Sequence, residues 1–177
     1  MSASWLDDPC CVVFVRGLTP EEALRRLGAE PVDDDMEAGD VAYGLIRAER
    51  AEGGTVLIEW NGFSVIIERL QRPLSAGTVS AGVFRNVNHD QEFVHWADGH
   101  EVFRLDPALP SDSLEDEEGA EPFLADLRAV GLLTGDGEDG PDADAELAVA
   151  LAMRVTGVTA DPALVSEGEG PRGLVRY

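Results

Sequence analysis

The hydrophobic positions of this chain fall into short runs with two different periods. "CCVVFVR" (10–16) is an unbroken, β-branched run closed by Gly17, and it predicts a strand. In "LTPEEALRRLG" (18–28), Leu18, Ala23, Leu24 and Leu27 recur at helical spacing. Thr19 stands at the N-cap position, Pro20 at the first helical position and Glu22 three residues after the cap, a capping-box arrangement, and Gly28 closes the helix. "VAYGLIRAE" (41–49) and "GTVLIEW" (54–60) read as two strands joined by a glycine turn, after an acidic loop, "PVDDDMEAGD" (31–40).

The next segment carries two conflicting signals. Asn61-Gly62 between apolar runs is a hairpin cue. Phe63, Ile66, Ile67, Leu70 and Leu74 nevertheless share one helical face, with Glu68, Arg69, Gln71 and Arg72 opposite. The helical pattern is the fuller one and predicts a short helix over 65–72, ending before Pro73.

Residues 77–88, 91–97 and 100–106 predict a three-stranded meander with Asp98-Gly99 as a two-residue turn. An acidic, proline-containing loop is expected over 107–122, a helix over 122–131 bounded by Pro122 and Gly131, and a second acidic loop over 135–142. A longer alanine-rich helix is expected from about residue 142 to 156, with Arg154 near its C-terminal dipole and Gly157 beyond it. Residues 159–167 add one more helical turn, and 168–177 read as a loose tail. The order β-α-β-β-α-β-β-β-α-α implies one α+β domain over 1–167, a mostly antiparallel sheet of about five to six strands with helices packed on one face.

Composition narrows the function. The 177 residues are 44% hydrophobic, enough for a real core. Acidic residues number 35 against 13 basic ones, all arginine, for a net charge of -22. A nucleic-acid binder displaces counterions with a basic face, and an anionic membrane surface demands the same, so both partners are disfavoured. A protein partner fits, and a basic one fits best, because complementary fields speed encounter. The N-terminus "MSASWLDDPCCVVFV" lacks a basic n-region, and no apolar run approaches the roughly 18 residues of a membrane span. Cys10 and Cys11 are neighbours whose side chains point to opposite faces of a strand, which makes a mutual bridge improbable and fits a reducing cytoplasm.

All three histidines lie in "FRNVNHDQEFVHWADGHEVFRLDP" (84–107). If Ala97 pairs with His100 across the turn and His95 with Val102, then His95 and His100 sit about 7 Å apart on one face. Trp96, Val94, Phe103 and Leu105 then form the core face, and His95 points outward beside Phe93 and Arg104. Two imidazoles without a third ligand, next to an arginine, do not make a zinc site, and no metal is expected.

No other catalytic constellation emerges. "DGEDGPDADAE" (136–146) lacks the ligand order of a calcium loop. There is no G-x-S-x-G elbow, dinucleotide fingerprint or P-loop, and no cofactor is implied. The acidic pair Glu59 and Glu68 is ordinary in so acidic a chain. What the core leaves unexplained is a polar-aromatic set at strand ends: Trp60 and Asn61 in "EWNGF", Arg85, Asn86 and Asn88 in "FRNVN". Asparagines there cap turns; Trp and Arg there anchor contacts with partners.

"WLDDPCCVVFVRGLTPEEALRRLGAEP", "EWNGF", "LSAGTVSAGVFRNVN" and "ALAMRVTGV" together resemble an uncharacterised domain family abundant in Streptomyces and related actinobacteria. The resemblance runs from Trp5 to about Leu164. It implies a bacterial cytoplasmic protein and a helix after "NGF", and carries no assigned activity, cofactor or catalytic residue. "SVIIERLQRP" departs from the family pattern in its β-branched residues and late proline, leaving the length of that helix open.

The expectation is therefore a non-catalytic, acidic protein-binding module, an adaptor or an immunity-type protein. Its candidate contact residues are Trp60, Asn61, Arg85, Asn86, His95 and Arg104. The alternative is a small-molecule binder or an enzyme of unfamiliar type, with a pocket between sheet and helices. Self-association through an exposed strand edge is a third possibility.

Overall fold

The computed structural model describes residues 4–7, 10–33 and 43–176. Strands β1 (Cys10–Arg16), β2 (Glu30–Val32), β3 (Leu45–Ala51), β4 (Gly54–Glu59), β5 (Val79–Arg85), β6 (Gln91–Ala97), β7 (His100–Leu105) and β8 (Arg172–Leu174) form one antiparallel sheet. Its order is β2-β8-β3-β4-β1-β5-β6-β7. The helices are α1 (Pro20–Arg26), α2 (Glu68–Leu74), α3 (Pro110–Leu114), α4 (Leu124–Val130), α5 (Ala145–Thr156) and α6 (Ala163–Glu167). The fold is α+β as expected, but the sheet has eight strands among the described residues rather than five or six. The two additional strands are three-residue pieces, too short to show a period.

The helices cover both faces of the sheet, not one. On one face α4 and α5 pack with Trp5 and Leu6 over Val12, Phe14, Ile58, Val83, Phe93 and Phe103. On the other, α1 and α2 pack over Val13, Val15, Ile46, Leu57, Val94 and Trp96. The reason is legible in β1: "CVVFV" has no polar alternate because this strand lies mid-sheet, and each of its faces needs a cover.

Local chemistry sets the helix ends. Thr19 Oγ1 accepts from Glu22 N–H at 3.2 Å. The reciprocal half of the capping box is not made, because the Glu22 carboxylate turns to Arg25 and Arg26. Hydrogen bonds from Arg25 and then Arg26 lower its pKa to about 2. Asp144 caps α5 by accepting from Leu147 N–H, so that helix starts at Ala145, later than the expected 142. At its other end Arg16 Nε donates to the Thr156 carbonyl at 2.5 Å, placing a cation on the helix C-terminus.

Three expected stretches fold differently. After Phe63 the chain makes a 3₁₀ turn at Ser64–Ile66, breaks at the extended Ile67, and continues as α2 through Pro73 to Leu74. Pro73 lies inside this helix, one residue from its end, and removes the N–H that would otherwise bond to the Arg69 carbonyl. The expected loop at 107–122 contains α3 and a 3₁₀ turn, Glu118–Phe123, which together lie along β7. Gly119 rests on Val102, and a Cβ there would overlap the Val102 carbonyl oxygen. The segment read as a loose tail supplies β8, inserted between β2 and β3. A three-residue strand among glycines has no hydrophobic signature; its place is determined by partners distant in sequence. Of the acidic loop expected at 31–40, residues 31 and 32 belong to β2, and 34–40 lie outside the described residues, as do 41 and 42 of the strand expected at 41–49.

Both sheet edges are blunted. β2 is three residues long with Pro31 at its centre, and β7 is flanked by the 110–123 segment.

Candidate functional site

The meander forms, and Asp98-Gly99 joins β6 to β7 with positive φ at both residues (49° and 76°). Ala97 pairs with His100 as expected. The ladder then slips between His95 and Trp96, so His95 faces Phe103 rather than Val102. A bulge of one residue reverses the faces beyond it. The expectation that His95 points into water is wrong because the face it shares with Phe93 is covered as well as the face of Trp96: it is 2% exposed. Its ring packs edge-on against Phe103 and Phe123, at 5.7 and 5.0 Å between centroids. Nδ1 lies 3.0 Å from the Ser80 carbonyl, which assigns the proton to that nitrogen. Burial pushes the imidazole pKa down, against the opposing effect of the Ser80 carbonyl and with a smaller contribution from the charge of Arg16. His89 is exposed in its turn, and His100 is exposed at the start of β7. Among the described residues no cluster of three or more His, Cys, Asp or Glu side chains is placed to hold a metal.

Four of the six candidates do meet. Trp60, Asn61, Arg85 and Asn86 line one open cavity of about 480 Å³ at the ends of β4, β5 and β6. Its walls also include Tyr43, Phe63, Ile66, Phe84 and Val87, with Asp90 and Glu92 on the polar side. Tyr43, Phe63 and Val87 are 61%, 50% and 74% exposed, three of the four large apolar residues that stand open to solvent among those described. Phe63 meets Phe84 edge-to-face at 5.8 Å. Sequence reasoning passed over Tyr43, Phe63 and Val87. The available signal was a large apolar residue isolated between polar neighbours, as in Asn86-Val87-Asn88.

The cavity is built on buried polar contacts. Glu59, fully enclosed, accepts from Ser64 Oγ at 2.7 Å and from Val65 N–H at 3.4 Å. These bonds bend the chain after Asn61-Gly62 and replace the hairpin that the dipeptide suggests. Burial raises the Glu59 pKa and outweighs the hydrogen bonds from Ser64, Val65 and Gly44 that lower it. Gln71 Nε2 donates to the Val65 carbonyl at 2.6 Å, and Ser80 Oγ donates to Gln71 Oε1 at 2.5 Å, joining the turn through α2 to the sheet. Behind Trp60, the Arg47 guanidinium lies 4.6 Å from the ring centroid. Arg47 pairs with Glu49 at 2.5 Å and donates to the Leu164 and Val165 carbonyls.

Asn86 is occupied in its own turn. Its Oδ1 accepts from Asn88 and Asp90 N–H, and its Nδ2 donates to Asp90. That turn holds His89 at φ 64°. Asn86 thus shapes the rim, as an asparagine capping a turn does. Arg104 lies outside the cavity in an adjoining hollow of about 270 Å³, formed with Gln91, Glu92, Leu105, Asp106, Ser113 and Glu117. It binds Glu101 through two hydrogen bonds and pairs with Glu92. Its pKa is raised, first by the Glu101 hydrogen bonds.

The comparison with known families is decided along the whole chain. It belongs to the family of unknown function DUF6461, whose profile matches residues 2–176. No curated protein and no solved structure matches the chain. Membership in DUF6461 covers every element that builds the cavity. Among the described residues no helix is long and apolar enough to cross a membrane.

Proposed function

We propose that this chain is a non-catalytic protein-binding module, an adaptor or immunity-type protein, and that the cavity beside Trp60 receives its partner. The observation that carries this reading is the convergence of Tyr43, Phe63 and Val87, all exposed, on one aromatic-walled cavity. Exposed apolar side chains gathered at a single concave site, within a polar rim, are the usual composition of an interface core. Trp60 and Arg85 are of the types that dominate contact energetics. The net charge of -22 favours a basic protein over nucleic acid or an anionic membrane. The same reading places the module in the cytoplasm of an actinobacterium, supported by the adjacent cysteines and the arginine-only set of basic residues.

A second reading, a small-molecule site, draws on the cavity volume, which lies within the range typical of ligand pockets. The exposure of three wall residues favours the larger partner, because a buried ligand would leave those side chains half open.

The test is photo-crosslinking in the source cell. A benzophenone side chain replaces Phe63 or Val87, and a control position is Arg128 on the far helix α4. A discrete protein adduct at 63 and 87, absent at 128, is the expected result. Adducts equal at all three positions, or none at 63 and 87, would overturn the proposal.

A further inference from the structure

Glu92 belongs to two concavities at once. It lines the apolar cavity with Phe63, Phe84 and Val87, and it lines the hollow that holds Arg104, Asp106 and Glu117. The two spaces therefore adjoin and differ in character. The first is walled by aromatic rings. In the second, Glu92, Asp106 and Glu117 surround one guanidinium, which Glu101 and Glu92 already hold.

Arg85 is the one cation among the described residues that line the first space. It lines the apolar cavity and, among the described residues, has neither a side-chain hydrogen bond nor an ion pair. In the apolar cavity Arg85 stands against Asp90 and Glu92, whereas in the hollow Arg104 stands against Glu92, Asp106 and Glu117, so the larger excess of carboxylates, and the stronger draw on a cation, lies in the hollow.

We infer that the occupant is a basic peptide segment of a partner protein, with an aromatic or long aliphatic side chain in the cavity and an arginine or lysine about two residues away in the hollow across Glu92. This inference rests on the protein-binding reading above and adds the chemistry of the partner. Two residues of extended chain span about 7 Å, a length suited to neighbouring concavities that share a wall residue. Charge complementarity selects the sign, and the aromatic walls select the anchor. Arg85 remains available to a backbone carbonyl of the bound segment.

The experiment uses two blocked peptides, acetyl-Arg-Gly-Trp-Gly-Arg-amide and acetyl-Glu-Gly-Trp-Gly-Glu-amide, titrated into the isotopically labelled full chain. Amide shifts of Phe63, Val87 and Glu117 are followed by NMR. The basic peptide moves all three, binds at least roughly threefold tighter than the acidic one, and weakens with added salt. The double variant with Asp106→Asn and Glu117→Gln loses that preference while Phe63 and Val87 still shift. If both peptides bind the cavity equally, the inference fails and the protein-binding reading stands. If neither moves Phe63 or Val87, the inference fails, and so does the assignment of the cavity as an aromatic anchor site.

Discussion

The guanidinium of Arg47 lies over the ring of Trp60, 4.6 Å from carbon to centroid, so one wall of the cavity is seated on a buried ion pair. The pair also fastens β3 to the C-terminal region: Arg47 donates to the Leu164 and Val165 carbonyls, and Glu49 accepts from Gly170 N–H at 2.9 Å. Removing one member of such a pair leaves the other charge buried and uncompensated. Arg47→Met is expected to destabilise the fold by about 3–5 kcal/mol. Adding Glu49→Met should restore much of the loss. Urea unfolding of the two variants measures both, and a double variant no more stable than Arg47→Met would contradict the account.

Glu59 makes a pH-dependent contribution of known sign. Burial raises its folded pKa above the ordinary 4.5. Its contribution to stability is complete below pH 4.5 and is lost as pH rises through the folded pKa, because the charged form is the one that burial penalises. Glu59→Gln, neutral throughout, should show a flatter stability profile than the parent above pH 4.5. Glu59→Ala leaves the Ser64 hydroxyl and Val65 N–H without an acceptor and should cost about 1–3 kcal/mol at any pH. Denaturation midpoints across the pH range decide; parallel curves for parent and Gln variant would exclude the assignment.

His95 works in the opposite sense. Its folded pKa lies below the ordinary 6.5, chiefly through burial. Its contribution is present above pH 6.5 and is lost as pH falls through the folded value, since the unfolded chain takes up the proton first. His95→Phe suits the aromatic neighbours Phe103 and Phe123 but forgoes the bond to the Ser80 carbonyl. The stability difference, parent minus variant, should shrink as pH falls from neutral toward 5. A difference that is constant or grows would count against a buried, neutral imidazole.

Gly119 keeps the β7 edge closed. Any side chain there meets the Val102 carbonyl, which is backbone and unable to move aside. Gly119→Val should lift the Glu118–Phe123 turn from β7 and free an edge for pairing between copies. Light scattering after size exclusion should show larger species for the variant than for the parent. An unchanged mass with unchanged stability would mean that the turn tolerates the side chain.

Much of the secondary structure is written in local pattern. Thr19-Pro20, Asp98-Gly99 and Gly131 mark boundaries by backbone chemistry that acts within a few residues, and the strands β1, β4, β5, β6 and β7 show as apolar runs. The site was partly legible: Trp60, Asn61, Arg85 and Asn86 drew notice as polar-aromatic residues at strand ends, and they meet at the cavity. His95 and Arg104 were grouped with them on an assumed ladder register that one bulge displaces. Beyond it His95 shares a face with Phe103, while Arg104 sits opposite Val94 on the other face.

The amino-acid pattern by itself determined which segments are extended or helical, that the chain is acidic, and which chemistries lack their residues, because periods, caps and charge are properties of neighbours. Tertiary structure alone decided which strands adjoin, that β8 joins the sheet, that both faces are covered, and that Tyr43, Phe63 and Val87 share one cavity with Trp60. Those outcomes depend on contacts between residues far apart in sequence, and a single inserted residue in a ladder changes which side chains share a face without altering any local preference.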